Sequence, residues 1–130
     1  MALILIVDDH AENREFLANL LAYRGHRTME ASDGAIGLTS VRAGHPDLVI
    51  CDVVMPIIDG FEFVRQVRAD PAIAATQVIF YTAHYRDRGA RDLAASRGIS
   101  HVIVKPAEPE EILKIVDDVL AHAKAAPKNI

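Results

Sequence analysis

The 130-residue sequence holds a single cysteine, Cys51, so no disulfide can form within the chain and the fold must rest on its core alone. One thiol inside an apolar run reads as a buried strand residue and fits a reducing compartment. Positive charge is also scarce: 14 Lys and Arg against 18 Asp and Glu give a formal charge of −4. Gripping a phosphate backbone requires clustered cations, so direct nucleic-acid contact is not expected. No apolar run is long enough to cross a bilayer. Met1–Val7 lacks a basic flank and is cut short by Asp8 and Asp9, which reads as neither a signal peptide nor a membrane span. A cytoplasmic protein is the expectation. The histidines, His10, His26, His45, His84, His101 and His122, lack a zinc-like spacing; they are expected at the surface or in loops, and no metal is assigned to them. There is no internal repeat and no sign of a second domain. A chain of this length folds as one unit that buries roughly two-thirds of its unfolded surface.

What is present is a set of short apolar runs, each ending in a polar residue. Leu3–Val7, Leu48–Cys51, Val78–Tyr81 and Val102–Val104 are rich in branched residues and do not alternate with polar ones. Such runs read as strands buried on both faces, hence a parallel sheet covered by helices. Helical spacing over Phe16, Leu17, Leu20 and Leu21, and over Ile112, Leu113, Val116, Val119 and Leu120, supplies faces to lie on that sheet. Further helices are expected near Gly34–Ala43, Phe61–Arg68 and Arg86–Arg97, with a weaker strand near Arg27–Ala31. Strands alternating with helices predict a doubly wound α/β fold. Gly25, Gly44 and Gly98 stand where helices need a left-handed closing residue. Pro109 suits the first turn of the last helix. The sequence thins into small and charged residues from Ala121 onward.

The polar residues at the run ends are Asp8 and Asp9, Asp52, Thr82 and Lys105. Ligands of open α/β sheets bind beyond the carboxyl ends of the strands, so these residues are expected to converge. Carboxylates brought together repel, at about 4 kcal/mol per pair ~4 Å apart at an effective dielectric near 20. A hard divalent cation, Mg²⁺ or Mn²⁺, would relieve that repulsion using one or two carboxylates and a phosphoryl oxygen. With Lys105 as a fixed positive charge and Thr82 as a hydroxyl donor, the set supplies parts for phosphoryl transfer. Asp52 is the candidate nucleophile. Taken singly, each residue also has a plainer reading: Asp8 and Asp9 as helix caps, Thr82 as a strand end, Lys105 as a surface charge, Asp59-Gly60 as a turn or cap.

Asp8-Asp9, Asp52-Val53-Val54-Met55-Pro56-Ile57-Ile58-Asp59-Gly60, Thr82-Ala83 and Lys105-Pro106 together resemble the signature of the receiver domains of two-component response regulators. The likeness spans nearly the whole chain. It implies a flavodoxin-like, five-stranded parallel sheet of order 2-1-3-4-5 with five helices, with the receiver at residues 1–123 and a tail at 124–130. By that resemblance Asp52 is the phosphoacceptor, and Asp9 binds Mg²⁺ directly while Asp8 acts through metal-bound water. The Val54 backbone carbonyl completes the protein's metal ligands, Thr82 and Lys105 meet phosphoryl oxygens, and a cis Lys105-Pro106 peptide aims the lysine. The implied partners are a histidine kinase or phosphotransfer protein, and an output partner on the face of the fourth helix, fifth strand and fifth helix. A homodimer is also compatible with the resemblance. The implied role is that of a regulatory domain rather than an enzyme, beyond its own phosphorylation and dephosphorylation.

Several positions depart from the family pattern. Val102 stands where an aromatic switch residue is usual, with His101 expected to face the other way, and Ala107 replaces a frequent phenylalanine. The stretch from Thr82 to Lys105 is about one residue longer than usual. Val54 and His84 would flank the phosphoryl group, and an apolar Val54 cannot orient a water for hydrolysis. The ending Lys105-Pro106-Ala107-Glu108-Pro109-Glu110-Glu111-Ile112 resembles receivers of sensor-kinase assemblies with PAS domains. Rival readings are a dehalogenase-like phosphatase, a nucleotide- or flavin-binding protein, an unphosphorylated interaction module, and a receiver cut from a hybrid histidine kinase. The phosphatase wants an Asp where Val54 stands, and the dinucleotide fold wants glycines where Asp8-Asp9-His10 stands.

Overall fold

Branched apolar runs that cannot be wetted on either face have one stable arrangement, a sheet with helices on both sides. The computed structural model describes residues 1–83 and 95–125, with side chains through residue 122 in the last helix. It has β1 (Leu3–Val7), α1 (Ala11–Tyr23), β2 (Arg27–Ala31), α2 (Gly34–Gly44), β3 (Leu48–Cys51), α3 (Gly60–Ala69), β4 (Gln77–Thr82), β5 (His101–Val104) and α4 (Pro109–Ala125). The strands form one five-stranded parallel sheet of order β2-β1-β3-β4-β5. Four helices, rather than the five expected, stand among the described residues; the helix expected at Arg86–Arg97 falls largely outside them, with residues 95–96 helical.

Alternate strand residues feed two cores. Leu5, Val7, Val49, Cys51, Val78 and Phe80 pack with Leu38 and Val41 of α2 and Phe63, Val64 and Val67 of α3. Ile4, Ile6, Leu48, Ile50, Ile79, Tyr81 and Ile103 pack with Leu17 and Leu21 of α1 and Ile112, Val116 and Leu120 of α4. Phe16 departs from its expected place and lies exposed, because a 13-residue helix on one sheet face needs only the Leu17–Leu21 stripe inside.

Gly25 and Gly98 take the expected left-handed backbone, at φ 83° and 71°. At the end of α2, however, His45 is the left-handed residue, at φ 46°, and Gly44 remains helical. Gly44 serves close packing instead: a Cβ there would come 2.9 Å from the Met29 sulfur. No helix among the described residues is long and apolar enough to cross a membrane.

Candidate functional site

Register carries the three central strands to a common edge. Val7 pairs with Cys51 and Cys51 with Phe80, so Asp8 and Asp52 leave adjacent strands at the same level. Both residues are buried, Asp8 at 2% and Asp52 at 5% exposure. Lys105 crosses from the end of β5 and donates from Nζ to Asp8 Oδ2 and Asp52 Oδ2, each at 3.1 Å. Asp9 stands beside them, more open to solvent. Ligand atoms of Asp8, Asp9, His10 and Asp52 all lie within 4.8 Å of one another. No other group of three or more His, Cys, Asp or Glu among the described residues gathers as closely. A larger cavity of about 440 Å³, lined in part by His101, Asp118 and His122, opens elsewhere on the molecule without such a cluster.

Backbone and side-chain donors hold the carboxylates in place. Asp8 Oδ1 accepts from the His10 N–H at 2.9 Å, Asp8 Oδ2 from Asn13 at 3.3 Å, and the Asp8 carbonyl from Arg14 at 2.7 Å. Asp52 Oδ1 accepts from the Val53 N–H at 2.7 Å. Burial opposes the Lys105 charge, but Asp52 and Asp8 outweigh it and hold the ammonium above its ordinary range. The Lys105 ammonium also stands 5.1 Å from the Tyr81 ring centroid, a cation–π contact. Burial, reinforced by Asp52 and Asp8, pushes the Cys51 thiol well up, so it stays protonated beneath the site.

The structure therefore brings Asp8, Asp9, Asp52 and Lys105 together. Thr82 ends β4, fully buried, and its carbonyl accepts from the Lys105 N–H at 2.9 Å. Val54 lies two residues past Asp52 and is 52% exposed. The Lys105-Pro106 peptide is cis. Val102 is half-buried against the core that contains its β4 partner Phe80, while His101 is exposed. His84 falls outside the described residues.

Two features escaped the sequence. Sequence spacing left His10 without a metal, yet its ring nitrogen is part of the cluster; the signal was adjacency to Asp8-Asp9, which a zinc-spacing search does not weigh. In the sequence, Asp59-Gly60 reads as a turn or cap. Asp59 is indeed the cap, accepting from the Glu62 N–H at 2.8 Å. Gly60 does something else: a Cβ there would lie 2.6 Å from the Asp52 carbonyl oxygen and 2.8 Å from Val53 Cα. Only glycine lets α3 start this close to the nucleophile candidate. On the same loop Ile57 holds a left-handed backbone at φ 74°, unfavourable for a branched side chain.

A cavity of about 240 Å³ opens over Asp52, lined by His10, Glu12, Asn13, Ala83 and Lys105. Three carboxylates against one ammonium leave two negative charges beneath it. That deficit, in an oxygen-rich pocket, fits a divalent cation.

A doubly wound parallel sheet with an acidic cluster and a lysine at its carboxyl edge defines a class of α/β domains whose site lies beyond the strand ends. Within that class the chain matches the response regulator receiver domain family over residues 4–117. It is 35% identical over 122 residues to protein PilH of Pseudomonas aeruginosa, covering 93% of this chain and 99% of PilH. It is 32% identical over 123 residues to hybrid signal transduction histidine kinase D of Dictyostelium discoideum, covering 95% of this chain but 8% of that protein. The chemotaxis protein CheY4 of Vibrio cholerae superposes with a TM-score of 0.85 at 31% identity, over 92% of this chain and 98% of CheY4. The chain belongs to the response regulator receiver domain family, a family of two-component signalling domains that are regulatory rather than classical enzymes.

Proposed function

We propose that this receiver is switched by phosphorylation of Asp52, with a histidine kinase or phosphotransfer protein as donor. The observation that carries the reading is Lys105 Nζ held 3.1 Å from both Asp8 and Asp52 at the mouth of an open cavity. An Asp52 carboxylate oxygen attacks phosphorus; the P–N bond of the donor phosphohistidine breaks, and the imidazole leaves with the electron pair and takes up a proton. Lys105, kept charged by its carboxylate neighbours, then pairs with a phosphoryl oxygen, and Thr82 offers its hydroxyl to another. Asp9, Asp52 and the Val54 carbonyl would hold Mg²⁺ or Mn²⁺, with Asp8 contributing through water. The ion, when bound, neutralises charge on the phosphoryl oxygens. Water later attacks the acyl phosphate and restores the carboxylate.

In this reading residues 1–123 form the receiver and 124–130 its tail. New charge at Asp52 draws Thr82 inward and biases the face of the fourth expected helix, which lies largely outside the described residues, together with β5 and α4. Val102 gives that route no aromatic rotamer switch. The test is to incubate the protein with phosphoramidate and Mg²⁺ and weigh it intact. One phosphoryl adduct is expected, lost with chelator and absent in Asp52→Asn; an adduct that persists in that variant moves the nucleophile elsewhere.

A further inference from the structure

His10 is a nitrogen donor that phosphoryl transfer at Asp52 does not require. Its backbone is extended at φ −96° and ψ 114°, at the N-cap of α1, yet its side chain makes no capping bond. Instead the imidazole folds back, with Nδ1 3.2 Å from Asp9 Oδ1 and 3.4 Å from Asp8 Oδ1. The ring is 67% exposed, so core packing does not hold it there. What faces it is the carboxylate pair and the cavity over Asp52.

We infer that His10 is an additional ligand of the cation site and tunes it toward nitrogen-favouring transition ions such as Co²⁺, Ni²⁺ and Zn²⁺, relative to Mg²⁺. The inference rests on the reading of Asp8, Asp9 and Asp52 as a cation site. Carboxylate, carbonyl and water suit Mg²⁺, which sheds water reluctantly and keeps several in place. An imidazole gives it little. Later first-row ions gain from nitrogen, and the Irving–Williams order raises their affinity further. A neutral imidazole leaves the charge deficit of the cluster unchanged. Mg²⁺ affinity is therefore set by the carboxylates, while Co²⁺ affinity depends on His10 as well.

The test is calorimetric titration of the untagged full chain with Co²⁺ and with Mg²⁺, alongside the visible spectrum of the Co²⁺ form. His10→Asn is the diagnostic variant, since asparagine is itself a favoured N-cap and keeps the start of α1. Wild type is expected to bind one Co²⁺ that excess Mg²⁺ displaces. His10→Asn should lose about tenfold or more in Co²⁺ affinity, the scale on which loss of even an outer-shell partner is felt. Its Mg²⁺ affinity should be unchanged, and its Co²⁺ bands should shift toward those of an all-oxygen site. Co²⁺ binding that Mg²⁺ cannot displace, or that His10→Asn leaves untouched in affinity and spectrum, overturns the inference. If Mg²⁺ still supports the Asp52 adduct in that case, the phosphoacceptor reading stands without it. If Asp9→Asn changes the binding of neither ion, the cation-site reading itself falls.

Discussion

Burial by itself would make Lys105 release its proton more readily; Asp52 and Asp8 reverse that and raise its pKa above the ordinary 10.5. A cation whose folded pKa is raised contributes stability that is complete below the unfolded value and is lost as pH climbs through the folded one. Lys105→Met should therefore remove an alkaline loss of stability that the wild type shows above about pH 10.5. At neutral pH the variant should be less stable by about 2 kcal/mol, less than for a fully buried pair because the lysine keeps some solvent contact. Mg²⁺ should also bind Lys105→Met more tightly, since the ion no longer competes with an ammonium for Asp8 and Asp52. Urea unfolding across pH, with and without Mg²⁺, reads all three, and unchanged Mg²⁺ affinity would contradict the competition.

At the level of elements, two contacts position the site from outside it. Gly60 lets the first turn of α3 rest on the backbone of Asp52 and Val53, with the Gly60 N–H donating to the Val53 carbonyl at 2.7 Å. Gly60→Ala forces a methyl into backbone that cannot give way, and should cost about 1–3 kcal/mol, as overpacking does. It should also slow phosphorylation from phosphoramidate, whereas a purely local effect would leave that rate alone. Arg68 is the second contact: from α3 it donates to the carbonyls of Ala74, Thr76, Arg97 and Gly98. Burial lowers its pKa, yet the carbonyls tie two segments, 74–76 and 97–98, to one side chain of α3. Arg68→Met leaves those acceptors short of a donor and should cost about 2 kcal/mol or more. Hydrogen exchange should rise at Gly98 and Ser100, whose amides donate to Ala95 and Val78. Protection that stays as in the wild type would mean the clamp is dispensable.

Over the whole molecule, the acidic cluster sets the native state against itself until a cation arrives. Like charges at the carboxyl edge oppose folding, and an ion that binds only the native form stabilises it by mass action, about 2.7 kcal/mol at a hundred times its Kd. Mg²⁺ should thus raise Tm, chelator should reverse the gain, and Asp9→Asn should abolish most of it; an equal gain in that variant would place the ion elsewhere.

Much of this architecture was readable from residue order. Apolar runs without alternation require cover on both faces, and that requirement is local, so the strand positions and the polar residues ending them could be named in advance. Arg27–Ala31 was legible only as a weaker strand, because Arg27, Thr28 and Glu30 break any apolar run and the strand is only partly buried. Less legible were features that depend on what stands opposite: the outward turn of Phe16, the left-handed closure by His45 in place of Gly44, the close approach at Gly60 and the imidazole of His10. Each is decided by a neighbour distant in sequence or by a side-chain rotation that spacing does not encode.

The residue order by itself determined a parallel sheet with aspartates and a lysine at one edge, because burial on both faces leaves such strands no other stable setting. Tertiary structure alone decided that Lys105 bridges partners 97 and 53 residues away, and that His10 turns toward them. Charge balance among side chains depends on distances of a few ångströms, and those exist only once the strands have paired.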